Sequence, residues 1–380
     1  GGSVTSGTQN TLIGGLAGDA ITSASSNVAL GYAALTSDTL GVASVAIGVE
    51  ALEAQNFTTA TNSYNVAVGF RSGEAVTTGI QNTILGALAG DALTDADRNV
   101  ALGYATLSTD VLGSRSTAIG YGVLNEQNFT TATDSYNTAV GYNAGNRVST
   151  GVQNTLIGGL AGDALTDADT NVAVGTSALG ADTKGSKSTA IGHSALEAQN
   201  FSTATDTHNT AVGNNTAKAI TTGISNTIIG SRAGDALTDA DFNVAVGMDA
   251  LTADTLGSKS TALGQGTLAA QNFTTATDTF NTAVGFQSGL SVTTGTLNTF
   301  VGALAADAFT TGQHNVAIGY QALTSDTEGN RSVAVGSNAL NTQNNSGTVY
   351  NVAVGYAAGQ NVSSGVLNTI VGGNAADALT

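Results

Sequence analysis

Three aspartates recur together in this chain of 380 residues: Asp91, Asp95 and Asp97 return as Asp163, Asp167 and Asp169, and after the same interval as Asp235, Asp239 and Asp241. Closely spaced carboxylates are the hard oxygen donors that calcium takes, so these are the metal-ligand candidates. Solvated turns are the other reading. The spacing favours turns, because it matches neither the nine-residue calcium-roll repeat nor an EF-hand loop. A second recurrence is aromatic. Phe57, Phe129, Phe201 and Phe273 each sit in a Gln-Asn-Phe-Thr or Gln-Asn-Phe-Ser loop that lengthens its repeat by four residues. Aromatics beside Thr on a bulging loop can contact a glycan or a protein, which makes these Phe candidate surface-loop contacts, whereas a ring that folds back would only cover the chain. Asn56-Phe57-Thr58 and its counterparts are also N-glycosylation sequons.

Catalytic chemistry finds less support. His193, His208 and His314 occupy different positions of the repeat, whereas a built site fixes its base in one geometry. No Ser stands with a paired His and acid, and the Gly-rich stretches never form the phosphate-cradling pattern with its Lys. With no Cys there is no thiol nucleophile, disulfide or zinc thiolate. A non-enzymatic protein without a cofactor is the expectation, calcium being the one ion considered.

The formal charge of −17, from 27 acidic and 10 basic residues, opposes nucleic acid and anionic membranes as partners. No apolar run approaches the ~20 residues that span a bilayer. The chain opens at Gly1 without Met, so the lack of a visible signal peptide decides nothing.

What must position these residues is a pentad, Asn27-Val28-Ala29-Leu30-Gly31, found in 21 close variants. In the regular part of the chain its closing glycines fall as at Gly86, Gly103, Gly120, Gly141 and Gly158, three equal steps and one longer, which sets a 72-residue unit of four rungs. We read residues 1–380 as a single repetitive domain, with units at 10–81, 82–153, 154–225, 226–297 and 298–367 and a partial one at 368–380. Gly (50 residues), Thr, Val and Ile disfavour helix, so the expected fold is all-β. Side chains of a strand alternate faces, placing Val100 and Leu102 on an aliphatic side and Asn99, Ala101 and Gly103 on a small side. Stacking of these 17-residue rungs then builds a parallel β-solenoid of about 21 rungs, roughly 100 Å long at ~4.8 Å per rung, with the aliphatic side expected inside and the small side open to a neighbouring chain. Asn27, Asn99, Asn171, Asn243 and Asn315 are candidates for a structural amide ladder, or for turn residues that tolerate left-handed φ. The second glycines of the rungs, such as Gly41, Gly113, Gly185, Gly257 and Gly329, are expected to relax tight turns.

The pentads Asn315-Val316-Ala317-Ile318-Gly319 and Ser44-Val45-Ala46-Ile47-Gly48, with the small residue and Leu that follow them, resemble the head repeats of YadA-like trimeric autotransporter adhesins. Asn137 to Ala144 is similar to rungs of repetitive bacterial and phage tail-fibre shafts. The resemblance covers the whole chain. It implies a left-handed parallel β-roll assembled as a homotrimer, serving as an extracellular or cell-surface adhesive fibre that meets a host glycan or protein receptor, or alternatively as a virion tail-fibre shaft.

Overall fold

A computed structural model describes residues 1–379; Thr380, the last residue of the expected partial unit, lies outside the described residues. Among the described residues the chain forms only short strands and turns. The fold is an all-β parallel solenoid whose 21 principal strands repeat with the pentads. Two compact units are present. The first comprises residues 1–188 and 200–206 and holds ten of these strands, from Thr11–Ile13 to Val172–Val174. The second comprises 189–199 and, among the described residues, 207–379, and holds eleven, from Thr189–Ile191 to Thr369–Val371.

Each principal strand covers the β-favouring centre of its pentad, most often three residues such as Val100–Leu102. Pairing is parallel and unslipped: Thr117, Ala118 and Ile119 oppose Val100, Ala101 and Leu102 on one side and Thr138, Ala139 and Val140 on the other. The closing Gly ends the strand in the left-handed region, at φ 130° for Gly103, and a Cβ there would fall onto the carbonyl oxygen of Gly120. Only Gly satisfies both demands. Shorter strands form smaller ladders beside the long loop, Gly113–Ser114 pairing with Thr133–Asp134 in the first unit and Gly257–Ser258 with Thr277–Asp278 in the second.

The two faces are opposite to the expectation. Ala101, Ala118 and Ala139 are fully buried with Asn99, Ser116 and Asn137, whereas Val100, Leu102, Thr117 and Ile119 are only half-buried. The small side faces the interior because each coil is narrow. The wall across from the strand carries the bulk: Leu107 and Leu124, four residues after their closing Gly, are fully buried and leave room only for Ala on the strand. Where the strand carries a large residue the opposite wall is cut back. Ile84 and Leu156 are buried, and the position four after the closing Gly is then Gly90 or Gly162. A Cβ on Gly162 would stand 2.7 Å from Leu156 Cδ2. Volume is thus exchanged between the walls of these rungs, whereas Ala139 is paired with Gly145, over which Leu124 and Leu156 of the neighbouring rungs reach.

Candidate interaction surface and the buried carboxylate latch

Because the small side is buried, the outer face of the sheet is aliphatic and aromatic. Ile13 is 56% exposed, Leu30 41% and Ile157 39% in the first unit, and Ile191, Ile229, Ile318 and Val354 are similarly open in the second. The residue after the closing Gly continues this outer row. Tyr104, Tyr121 and Tyr142 occupy it on three successive rungs, with ring centroids 5.4 and 5.5 Å apart and planes inclined by 17° and 14°. All three are about half exposed. Single exposed apolar side chains are ordinary, but an aligned row along a sheet face is the kind of surface that marks an interaction site.

The Asn ladder exists, and its geometry differs from both expectations. Asn99 Nδ2 donates to the Gly113 carbonyl at 2.8 Å, and its Oδ1 accepts the Ser116 N–H of the next rung at 2.8 Å. Asn27, Asn171, Asn243 and Asn315 repeat these bonds, on Gly41, Gly185, Gly257 and Gly329 and from Ser44, Ser188, Ser260 and Ser332. The amide therefore ties main chain to main chain between rungs. Direct amide-to-amide contacts are longer, as from Asn82 Nδ2 to Asn65 Oδ1 at 3.4 Å. Left-handed φ falls instead on the residue before the Asn, Ser26, Arg98, Thr170, Phe242 and His314 in these five rungs.

The Phe rings are not presented on the surface. Phe57, Phe129, Phe201 and Phe273 are only 5% to 7% exposed, so the rings fold back onto the chain and the reading of them as surface-loop contacts is corrected. Each loop is held down by an aspartate that is not among the candidates above. Asp110 is fully buried; its Oδ1 accepts the N–H groups of Gly113 and Phe129, both at 3.1 Å, and its Oδ2 accepts Gln127 Nε2 at 2.5 Å. Gln127 Oε1 in turn accepts Asn137 Nδ2 at 2.9 Å. Equivalent latches form at Asp38 with Gln55, Asp254 with Gln271 and Asp326 with Gln343. The fifth, Asp182, accepts the Phe201 N–H at 3.2 Å. Gly113 does not adopt left-handed φ, contrary to expectation; a side chain there would meet the Asp110 carboxylate and stand 2.8 Å from the Phe129 ring. Burial pushes the Asp110 and Asp326 carboxyls up from their usual range, against the opposing pull of the Gln and backbone N–H donors.

The calcium candidates are not gathered. Asp95 Oδ1 accepts Thr78 Oγ1 at 2.6 Å and Asp97 Oδ1 accepts the Ile80 N–H at 2.8 Å, each from the preceding rung. Asp169 accepts the Val152 N–H likewise, and Asp167 pairs with Lys184 at 3.6 Å. Burial raises the Asp91 and Asp163 carboxyls; at Asp167 burial is outweighed by hydrogen bonds from Thr166, its own backbone and Lys184, and the carboxyl is lowered. Among the described residues the one trio of acids that could converge on an ion is Glu50, Glu53 and Glu74, where Arg71 already bridges Glu50 at 3.1 Å and Glu74 at 2.6 Å. His193, His208 and His314 are all exposed. A shallow cleft of about 430 Å³ includes Asp97, Arg115 and Asp134, closed by the Arg115–Asp134 ion pair at 3.1 Å and by Arg115 over the Tyr136 ring at 5.5 Å.

No protein-family model and no curated protein matches this sequence.

Proposed function

We propose that this chain is a non-enzymatic structural and adhesive fibre element that works as a self-assembled homotrimer outside the cell or on its surface. The observation that carries the reading is the outer face of the sheet, apolar on rung after rung, where Leu30, Tyr104, Ile157 and Ile318 remain open to solvent in the single chain. A second copy carries the same row at the same rung spacing, so the faces can match along their length, and covering them removes apolar area from water at about 25 cal/mol per Å². Short parallel strands, each locked to its neighbours by main-chain bonds and Asn ties, give each unit stiffness. No ion is needed for this assembly. The loops and acidic turns then form the surface offered to a glycan or protein receptor.

The test is the mass of the native particle by sedimentation, with and without a calcium chelator. A mass of three chains unchanged by chelation is expected, and a Leu102→Lys, Ile119→Lys variant, which charges the outer row but no core position, should sediment as one chain. A monomeric wild-type chain would remove the proposal, and dissociation on chelation would assign the assembly to bound ions instead.

A further inference from the structure

The long loop carries an Asn-x-Thr or Asn-x-Ser triplet at Asn56, Asn128, Asn200, Asn272 and Asn344, one in each four-rung repeat and always at the same place in it. Such triplets also arise by chance, and within these five repeats the structure separates chance or packing from selection. Packing offers two reasons to keep the triplet. One is the middle residue, a buried Phe in four copies. The other is the Asn side-chain carbonyl, which accepts a threonine hydroxyl of the preceding rung: Thr39 on Asn56 at 2.9 Å, Thr183 on Asn200 at 3.1 Å, Thr255 on Asn272 at 3.2 Å and Thr327 on Asn344 at 3.0 Å. Each reason fails once. In the second copy Val111 stands where the others have Thr, so that bond is lost, yet Asn128 and Thr130 remain. In the fifth copy Asn345 replaces the Phe, yet Asn344 and Ser346 remain. The acceptor amide and the hydroxyl two residues on are the features common to all five.

Geometry divides these five from the other sequons. At all five the Asn and the hydroxyl residue are exposed, and neither the Asn Nδ2 nor that hydroxyl is engaged in a hydrogen bond among the described residues. Elsewhere one partner is always spent. Thr216 of the Asn214 triplet is fully buried and donates to the Gly230 carbonyl at 2.6 Å. Ser332 of the Asn330 triplet is fully buried, and Asn330 Nδ2 donates to the Gly347 carbonyl at 3.0 Å. Asn361 Nδ2 donates to the Asp377 carbonyl at 2.5 Å.

We propose that Asn56, Asn128, Asn200, Asn272 and Asn344 are acceptors of N-linked sugar on the folded chain. In the transfer, a bond forms between Nδ2 and the anomeric carbon of a diphosphate-activated sugar. The carbon–oxygen bond to the diphosphate breaks and the diphosphate leaves with the electron pair, while the amide proton passes to a base of the transferase. The sequon hydroxyl is the transferase's recognition contact. Within each compact unit successive acceptors stand four rungs apart, roughly 19 Å at ~4.8 Å per rung, so the sugars form a spaced row along the edge that carries the long loops.

The full-length chain, produced without sugar, is incubated while folded with a soluble asparagine glycosyltransferase and UDP-glucose, and its peptides are then weighed. Hexose on the five periodic asparagines and none on Asn214, Asn330 or Asn361 is the expected result. Thr130→Ala should remove hexose from Asn128 alone with the melting temperature unchanged, since the Thr130 hydroxyl bonds nothing among the described residues. Failure of the folded chain to accept sugar at the five sites would overturn the proposal, as would equal modification at Asn214 and Asn330.

Discussion

The two faces of one strand show what this fold reads in its sequence. Ala118 and Ile119 are neighbours in the pentad Ser116-Thr117-Ala118-Ile119-Gly120; the smaller is fully buried and the larger half open. Hydrophobicity alone would sort them the other way. Position decides, because the inner face meets a wall that already carries Leu124, while across from the outer face, which is left half open, no wall stands among the described residues. Burial here follows the volume left by the opposite wall, and the apolar surplus goes outward.

The comparison breaks most severely at the inner glycines. Gly103→Ala forces a side chain onto the neighbouring rung's carbonyl from a left-handed φ, and should cost about 3 kcal/mol or more, read by urea denaturation. Ala118→Leu overpacks the same face and should cost about 2 kcal/mol, whereas Ile119→Ala on the outer face should cost less than about 1 kcal/mol in the isolated chain and act on sedimentation instead. A double-mutant cycle sharpens the volume rule. Ile84→Ala should cost about 3 kcal/mol and Gly90→Leu about 2, yet together they rebuild the Ala101 and Leu107 pairing, so the double variant should recover most of the loss. Equal additive losses would mean that the two walls do not trade volume.

The smallest effect concerns the buried latches. Asp110 and Asp326 have carboxyls raised by burial, so the folded chain holds their protons more tightly than the unfolded chain, whose aspartates titrate near 3.8. Stability linked to these groups is lost as pH rises through the folded pKa and fully present below the unfolded one. The melting temperature should therefore climb by a few degrees from pH 7 toward pH 4, and Asp110→Asn should flatten part of that climb. A melting temperature that falls over this range would mean that other carboxylates dominate. Asp167, with its lowered carboxyl, acts in the opposite sense, and only as pH falls through its folded value below 3.8.

The sequence disclosed the strands, their register and the β-solenoid, because a 17-residue recurrence of Gly-closed β-formers has few other solutions. It disclosed the faces of Val100 and Ala101 but not which one lies inside, since both are apolar and alternation carries no sign. Part of the missing clue was present four residues past the closing Gly, where Leu107 accompanies Ala101 and Gly90 accompanies Ile84, although in the fourth rung Gly145 accompanies Ala139. The latch was equally visible as an evenly spaced recurrence of Asp38, Asp110, Asp182, Asp254 and Asp326, each followed one rung later by Gln55, Gln127, Gln199, Gln271 or Gln343. Its role is hidden in the sequence because a lone Asp in a polar loop looks solvated, and only the fold brings Gln127 and the Phe129 N–H onto it. The course of the Phe loops stays open in the sequence for a related reason: four extra residues can bulge outward or fold back, and the carboxylate that turns them inward lies on the neighbouring rung.

The unslipped pairing has a further consequence for how such a chain changes through time. Ile84 lies on Ala67 in the sheet, and one four-rung repeat later Leu156 lies on Ala139 in the same register. A block cut between these two points therefore ends on the contact with which it began. Loss or gain of one block by unequal crossing-over joins edges that already fit, and adds or removes one latch and one Asn-x-Thr or Asn-x-Ser triplet. Length in this protein is a quantity that recombination can adjust by whole four-rung blocks without redesigning a single interface.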